Sequence, residues 1–326
     1  MTENQSEPFF IVGAPRSGTT LLAVLLDRHP LLAIPPETQF YTEFVAKVDA
    51  TFWQQECEQV VATALAHPRI ADLQLDPVEV TGLLEQYGRS PAGLLRALLD
   101  CYSRKRGMAR VGEKSPRHNE HVATILNDFP RARIVALVRD GRDVVNSMIK
   151  APWAAPGNPR RFLLFCRDWM VQMRHVERNQ QRVGSGCQLI VKYEDLLHNP
   201  EVELRQICRF LDTDYEPCML DTSVKTAAVP EWESEWKSKA TMGLDATRIG
   251  AWQRERTREQ IWKMNTILGP MLRRHGYANT TLRDCPPLHR LKLMPYIALR
   301  WEPLRPFAVF LLRFGRKMMR IARPGR

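Results

Sequence analysis

The sequence contains no apolar run of the about 18 residues that a membrane-spanning helix needs, and its start, Met1–Glu7, is polar. We therefore expect neither a transmembrane helix nor a secretory signal. No two cysteines form a C-x-x-C pair, so we expect neither a zinc site nor a disulfide framework. Scattered thiols are typical of a reducing compartment, and we expect a cytoplasmic protein. The cysteines are Cys57, Cys101, Cys166, Cys187, Cys208, Cys218 and Cys285.

Basic residues are concentrated at the C-terminal end of the chain. The formal net charge is +11, and residues 287–326 carry ten Lys or Arg against one acid. Apolar side chains recur at helical spacing from Phe307 to Ile321, with basic residues between them. We expect residues 281–326 to form a basic extension whose amphipathic segment 307–323 lies on an anionic surface, at the inner face of the membrane. Packing of this segment on the body is the alternative, and no nucleic-acid-binding motif is present.

A glycine-containing segment near the N-terminus has the layout of a phosphate-binding loop. The apolar run Phe9–Val12 leads into Gly13-Ala14-Pro15-Arg16-Ser17-Gly18-Thr19-Thr20, and the helical pattern Leu21–Asp27 follows. In this layout the N–H groups of the loop and the positive end of the helix dipole face one anion. A nucleoside-triphosphate loop carries Lys directly after its second glycine, where this chain has Thr19. The loop therefore indicates an anion site whose cation is Arg16.

A second candidate anion site follows the apolar run Ile134–Val138. Arg139 comes directly after this predicted strand, and Ser147 lies about two turns into the next helical pattern. Ligands of open parallel sheets bind at the carboxyl ends of the strands, so we expect Arg139 and Ser147 to hold an anion there. A surface ion pair between Arg139 and a neighbouring aspartate is the alternative.

Glu37 and Lys114 are candidates for the chemistry itself. Two prolines stiffen the backbone before Glu37, and a rigidly presented carboxylate near the loop is a candidate general base. Pro116 disfavours helix just before it, which places Lys114 on a loop or at a strand end. A lysine there offers a point charge to a transferring group. Taken alone, a helix-initiating acid and a solvated lysine are the competing interpretations.

Short apolar runs alternate with helical patterns along the chain. The predicted strands are Phe9–Val12, Ile134–Val138 and Leu189–Val191. The helical patterns are Leu21–Leu26, Phe40–Leu65, Val78–Tyr102, Val144–Met148, Phe162–Arg182, Pro200–Phe210 and Thr257–His275. This alternation predicts an α/β fold with a central parallel sheet flanked by helices, and residues 1–280 as one domain.

Taken together, these segments resemble the PAPS-dependent sulfotransferases (PAPS is 3′-phosphoadenosine-5′-phosphosulfate), in the branch of the tyrosylprotein enzymes and their bacterial relatives. The resemblance covers roughly residues 8–280, and its motifs occur in the family's order. They include Pro15–Thr20, Glu37-Thr38, Lys114 with Pro116, Phe129–Ser147, Tyr193-Glu194, Ile249-Gly250 with Trp252, and Pro270–Asn279. The resemblance implies a P-loop-like sulfotransferase fold.

The resemblance also implies roles for individual residues. The residues that match the family's loop for the 5′-phosphosulfate are Arg16, Ser17, Gly18, Thr19 and Thr20. Arg139 and Ser147 match the pair that holds the 3′-phosphate, and Tyr193 matches a residue near the nucleotide. Glu37 falls at the catalytic base, and Lys114 with Arg16 at the cations that stabilise the transferring group. The cysteines that flank these motifs in the animal enzymes are absent here, and so is their disulfide.

The implied reaction moves the sulfonate of PAPS to a hydroxyl of a carbohydrate, lipid-linked or tyrosine/phenol acceptor. It needs no metal, because the cations belong to the chain. His118 and Glu113 are the alternative bases. A P-loop kinase or NTPase-like phosphoryl transferase and a non-catalytic nucleotide-binding protein are the alternative functions, and the oligomeric state stays open.

Overall fold

The computed structural model describes residues 7–151, 159–233 and 241–277, with the single positions 287 and 294. The chain forms two compact units, Met1–Arg139 with Val171–Ala246, and Asp140–Met170 with Thr247–Arg326. The predicted membrane segment 307–323 lies outside the described residues, and the domain boundary at residue 280 stays a prediction. Within the described ranges, no helix is both long and apolar enough to cross a bilayer.

The first unit is built on a parallel sheet. In the described part of the chain it has five strands in the order β2-β3-β1-β4-β5. The strands are β1 Phe9–Gly13, β2 Leu32–Ala33, β3 Arg110–Lys114, β4 Arg133–Val138 and β5 Gln188–Lys192. β1 is central and completely buried, as expected for an apolar strand covered on both faces. The three predicted strands are confirmed as β1, β4 and β5.

Helices connect the strands, as the α/β pattern predicts. In chain order they are α1 Thr19–Asp27, α2 Cys57–Leu65, α3 Pro68–Ala71, α4 Pro77–Tyr87, α5 Pro91–Arg106, α6 Val122–Asp128, α7 Gly141–Ile149, α8 Pro159–Cys187, α9 Tyr193–His198, α10 Pro200–Phe210, α11 Ala251–Glu255 and α12 Arg258–Arg274. Short 3₁₀ turns span Val45–Lys47, Ala50–Gln54, Pro116–Glu120, Pro217–Leu220, Glu231–Glu233 and Ala246–Arg248, and a π-helical turn spans Phe40–Phe44. Helix α8 begins in the second unit and ends in the first.

Two of the predicted helical patterns do not form single continuous helices. Phe40–Leu65 contains short turns before α2, because the Asp49 carboxylate accepts the Thr51 N–H at 2.9 Å and caps a new turn. Val78–Tyr102 contains two helices, because Gly88 has a φ of 87° and α5 begins afresh behind the Ser90 cap. In both cases local capping ends a helix that apolar spacing alone would continue.

Candidate active site

The loop between β1 and α1 is held in a conformation that few residues adopt. Gly13, Arg16 and Gly18 have φ values of 154°, 69° and 103°. A Cβ at Gly13 would lie 2.4 Å from the Leu137 carbonyl oxygen, and one at Gly18 would lie 2.4 Å from the Tyr193 ring. Positive φ at a non-glycine residue is strained and persists only where the surroundings impose it. The loop therefore leaves no room for a side chain at Gly13 or Gly18, and its surroundings fix its backbone conformation.

A donor inside this loop is available to an anion. Ser17 is completely buried, and within the described residues its hydroxyl has no hydrogen-bond partner. Buried hydroxyls without a partner are rare in native proteins because they are costly. Thr19 is buried at the first position of α1, where helix N–H groups lack helical partners. These donors fit a phosphate or sulfonate group seated in the loop.

Arg139 and the loop meet through Tyr193. Arg139 follows β4, and its guanidinium carbon lies 4.1 Å from the centroid of the Tyr193 ring. The same ring contacts Gly18, and the Arg139 Nη1 donates to the Arg16 carbonyl oxygen at 3.4 Å. Tyr193 is almost completely buried at the start of α9. One aromatic ring thus supports both the anion loop and the predicted second anion ligand.

The predicted base and the predicted lysine are in direct contact. Lys114 ends β3, is completely buried, and donates from Nζ to the Glu37 Oε2 at 2.7 Å. The Glu37 side chain keeps 11% of its surface exposed. The amide of Gln39 donates to the other Glu37 oxygen. A cation and a carboxylate therefore stand side by side, with the carboxylate accessible.

Glu113 lies beside Lys114 on β3 and is the centre of a buried polar cluster. Its Oε1 accepts hydrogen bonds from the Thr38 hydroxyl at 2.7 Å and the Ser115 hydroxyl at 2.6 Å. The His118 Nδ1 lies 2.8 Å from its Oε2, and the His118 Nε2 accepts the Tyr41 N–H at 3.1 Å. Because Nε2 accepts the Tyr41 N–H, a neutral imidazole in this arrangement carries its proton on Nδ1.

The cluster keeps Glu113 ionised. Burial raises the pKa of this carboxyl, but the neighbouring His118 and the two hydroxyls outweigh burial, so the pKa lies below its ordinary value. Both Glu113 and His118 are completely buried. Their polar atoms face each other and the 38–41 segment rather than open space.

Ser147 belongs to the second unit, on α7. Asp140 caps this helix by accepting the Arg142 N–H at 2.8 Å, and Asp143 accepts the N–H groups of Gly250 at 2.8 Å and Trp252 at 3.1 Å. Ser147 is half-buried on the same helix. The structure thus fixes the helix that carries Ser147, and the predicted pairing of Ser147 with Arg139 stays a prediction.

The sequence predicted most of these side chains as site residues, but it did not predict the contacts that hold them in place. The first unit brings together Arg16, Ser17, Gly18, Thr19, Arg139 and Tyr193 at the loop, with Thr20 half-buried beside Thr19. Thr38, Ser115 and His118 were not recognised as one cluster with Glu113. The sequence signal that could have indicated this cluster is the run of three polar residues at 113–115. Among the described residues, no group of three or more potential metal-ligating side chains occurs.

Fold and site together define an α/β protein with a positive-φ loop after its central strand and a carboxylate in contact with a buried lysine. A family model described as the sulfotransferase family matches residues 8–217, and the chain belongs to this family. The chain is 26% identical over 284 residues to protein-tyrosine sulfotransferase A of Caenorhabditis elegans, covering 84% of this chain and 68% of the relative. Protein-tyrosine sulfotransferase 1 of Danio rerio is 28% identical over 231 residues, covering 67% of this chain and 59% of the relative.

Solved structures of the same fold exist. The sulfotransferase domain of the Synechococcus PCC 7002 olefin synthase superposes with a TM-score of 0.57 at 22% identity, covering 79% of this chain and 91% of that domain. The sulfotransferase domain from the curacin biosynthetic pathway superposes with a TM-score of 0.56 at 19% identity, covering 83% and 99%. The resemblance found in the sequence is confirmed, and the chain is a PAPS-dependent sulfotransferase enzyme. The kinase and non-catalytic alternatives are wrong.

Proposed function

We propose that this enzyme transfers the sulfonate of PAPS to an acceptor hydroxyl, with Glu37 as general base. The observation that carries the proposal is the 2.7 Å contact between the accessible Glu37 carboxylate and the buried Lys114 ammonium. When bound, PAPS supplies an activated sulfonate and an adenosine bisphosphate leaving group. The protein's own side chains and backbone N–H groups supply the other parts of the mechanism.

Donor binding is assigned to the loop and its support. Ser17, with its buried hydroxyl, and the N–H groups of Gly18, Thr19 and Thr20 would hold the phosphosulfate oxygens. Arg16 adds a planar guanidinium suited to such oxygens. The resemblance assigns the 3′-phosphate to Arg139 and Ser147. Tyr193 would keep Arg139 and the loop in place from the protein side.

Glu37 would accept the proton of the acceptor hydroxyl as its oxygen attacks sulfur in line with the leaving group. Lys114 and Arg16 would stabilise the negative charge that develops on the transferring group and the leaving oxygen. A general base contributes about 10²–10⁴-fold to such a reaction. The prediction that no metal is needed rests on these cations and remains part of the proposal.

The alternative bases are less well placed than Glu37. His118 is completely buried, its Nε2 accepts the Tyr41 N–H, and its Nδ1 faces Glu113. The Glu113 carboxylate is also completely buried, with Thr38 and Ser115 donating to it. A base must come within hydrogen-bond reach of the acceptor proton, which favours the accessible carboxylate.

The acceptor is proposed as a hydroxyl of a tyrosine/phenol, a carbohydrate or a lipid-linked molecule. The relatives named as protein-tyrosine sulfotransferases support a phenolic hydroxyl. The purified enzyme, incubated with [³⁵S]PAPS, should label at least one of a tyrosine peptide, a simple sugar and a lipid-linked saccharide. Label in none of these or of the fractions of a host extract, from protein that binds the donor, would contradict the proposal.

A membrane location is a separate proposal that rests on sequence alone. Residues 307–323 have an amphipathic basic pattern, and each basic residue near an anionic surface contributes about 1 kcal/mol. The full chain should sediment with anionic liposomes more than a chain ending at Asn279. Equal sedimentation of the two would reject it, and a cytoplasmic location stays a prediction in either case.

A further inference from the structure

Three links from the segment that follows Glu37 converge on one buried carboxylate. We infer that Glu113 is a positioning residue, which fixes the 38–41 backbone and thereby aims the Glu37 carboxylate at Lys114 and the acceptor. This inference rests on the proposed role of Glu37. It assigns to Glu113 no contact with the reacting atoms.

The first link is direct. The Thr38 hydroxyl donates to the Glu113 Oε1 at 2.7 Å and accepts the Phe40 N–H at 3.2 Å. Thr38 is completely buried and follows Glu37 directly in the chain. Its side chain therefore ties the backbone on the C-terminal side of Glu37 to strand β3.

The second and third links each pass through one side chain. The Gln39 N–H donates to the Ser115 hydroxyl at 2.9 Å, and that hydroxyl donates to the Glu113 Oε1 at 2.6 Å. The Tyr41 N–H donates to the His118 Nε2 at 3.1 Å, and the His118 Nδ1 lies 2.8 Å from the Glu113 Oε2. Both oxygens of one carboxylate thus hold successive points of the same segment.

The segment needs this support, because its backbone is strained. Gln39 has a φ of 53°, in the left-handed region that non-glycine residues rarely adopt. Strained residues at functional sites persist only where surrounding contacts impose them. Here the Gln39 N–H is held by Ser115, and the Gln39 side chain donates to Glu37. Loss of the links would let the backbone relax and displace the Glu37 carboxylate.

The position of Glu113 in the strand explains the arrangement. Glu113 and Lys114 are neighbours on β3, so the cation that contacts Glu37 and the anion that orders its backbone belong to one rigid element. A misplacement of a catalytic group by about 1 Å can cost about 100-fold in rate. Attaching both groups to the same strand keeps their relative position fixed.

The test compares Thr38→Val, which removes the hydroxyl at nearly constant volume, with Thr38→Ser, which keeps it. Thr38→Val should lower kcat about 10- to 100-fold, with KM for PAPS and affinity for adenosine 3′,5′-bisphosphate unchanged. Thr38→Ser should restore most of the rate. Thr63→Val is the matched control, because the exposed Thr63 hydroxyl donates only within its own helix, to the Gln59 carbonyl at 2.9 Å.

A double-mutant cycle separates positioning from general destabilisation. In a Glu37→Gln background, Thr38→Val should reduce the residual rate less than about twofold, because a residue that acts through Glu37 has nothing left to aim. An equal loss in both backgrounds would overturn the inference, as would an unchanged kcat for Thr38→Val alone. If Thr38→Val does not fold, Ser115→Ala in the same cycle removes the second link. An unchanged rate for Glu37→Gln itself would instead contradict the proposed function.

Discussion

The Arg139 guanidinium lies 4.1 Å from the centroid of the Tyr193 ring, whose edge also closes on Gly18. A cation over an aromatic face is stabilised by the ring quadrupole, and burial strengthens the attraction. The contact turns the resemblance-based assignment of Tyr193 into a physical role. Tyr193 contacts both Arg139, which is predicted to bind the 3′-phosphate, and Gly18 of the loop that is predicted to bind the phosphosulfate.

Removal of the Tyr193 ring should therefore weaken donor binding. Tyr193→Ala should lower the affinity for adenosine 3′,5′-bisphosphate by about tenfold or more, the equivalent of about 1.4 kcal/mol, as measured by titration calorimetry. Tyr193→Phe should bind normally, because it keeps the ring. Tyr215→Ala is the matched control, since Tyr215 lies under Arg205 at 4.4 Å. Normal binding by Tyr193→Ala would disprove the supporting role.

A side chain at Gly18 should disable the loop. Gly18 has a φ of 103°, and a Cβ there would overlap the Tyr193 ring at 2.4 Å. Gly18→Ala should therefore lose most of its affinity for the donor product while the sheet stays folded, as circular dichroism would show. Gly82→Ala provides the comparison, because a Cβ at Gly82 meets nothing within 4 Å. Donor affinity that survives Gly18→Ala would show that the loop has freedom to shift.

Neutralising Glu113 should destabilise the fold in a pH-dependent way. Hydrogen bonds to a charged group contribute about 1.5–3 kcal/mol, so Glu113→Gln, which weakens those donated by Thr38 and Ser115, should lower the free energy of unfolding by about that amount at neutral pH. The pKa of Glu113 is lower in the folded protein than its ordinary 4.5. Its stabilising contribution is therefore complete above pH 4.5 and is lost as the pH falls through the folded pKa.

The measurement is denaturant unfolding of wild type and Glu113→Gln across this acidic range. The difference in unfolding free energy should shrink toward low pH. The exposed Glu58→Gln serves as control and should track the wild type. A difference that stays constant with pH would show that Glu113 is not ionised in the folded protein.

Lys114 should matter more for turnover than for donor binding. Lys114→Met keeps the length of the side chain in a completely buried position but removes the charge that meets Glu37. Loss of a preorganised charge at a reacting centre costs about 10²–10³-fold in kcat. Steady-state kinetics with calorimetric donor affinity would check this. A kcat within twofold of wild type would rule out the assigned role.

The sheet and the loop could be predicted because their signals are local. The apolar runs Phe9–Val12 and Ile134–Val138 predict buried strands, which are observed as β1 and β4, and the glycines between β1 and α1 mark the turn. β3 was missed because Arg110–Lys114 has a polar sequence; its burial comes from the neighbouring β1 and β2. Tertiary pairing, rather than propensity, makes that segment a strand.

The same distinction applies to the site. Glu37 and Lys114 could each be predicted singly, from the prolines beside them and from the order of the family's motifs. Their contact, the link of Thr38 to Glu113 and the link of Tyr41 to His118 each join residues 75 or more positions apart in the chain. No spacing rule within one segment reports such partners. The function of Glu113 therefore appears only once the sheet has brought β3 against the 37–41 segment.

The most direct test of the account uses Glu37→Gln. Wild type and variant are assayed for release of adenosine 3′,5′-bisphosphate from PAPS with a labelled acceptor, and for affinity toward that product by calorimetry. The account predicts a kcat reduced by about 10²–10⁴-fold with donor affinity unchanged. Sulfonate transfer by Glu37→Gln at the wild-type rate would contradict it.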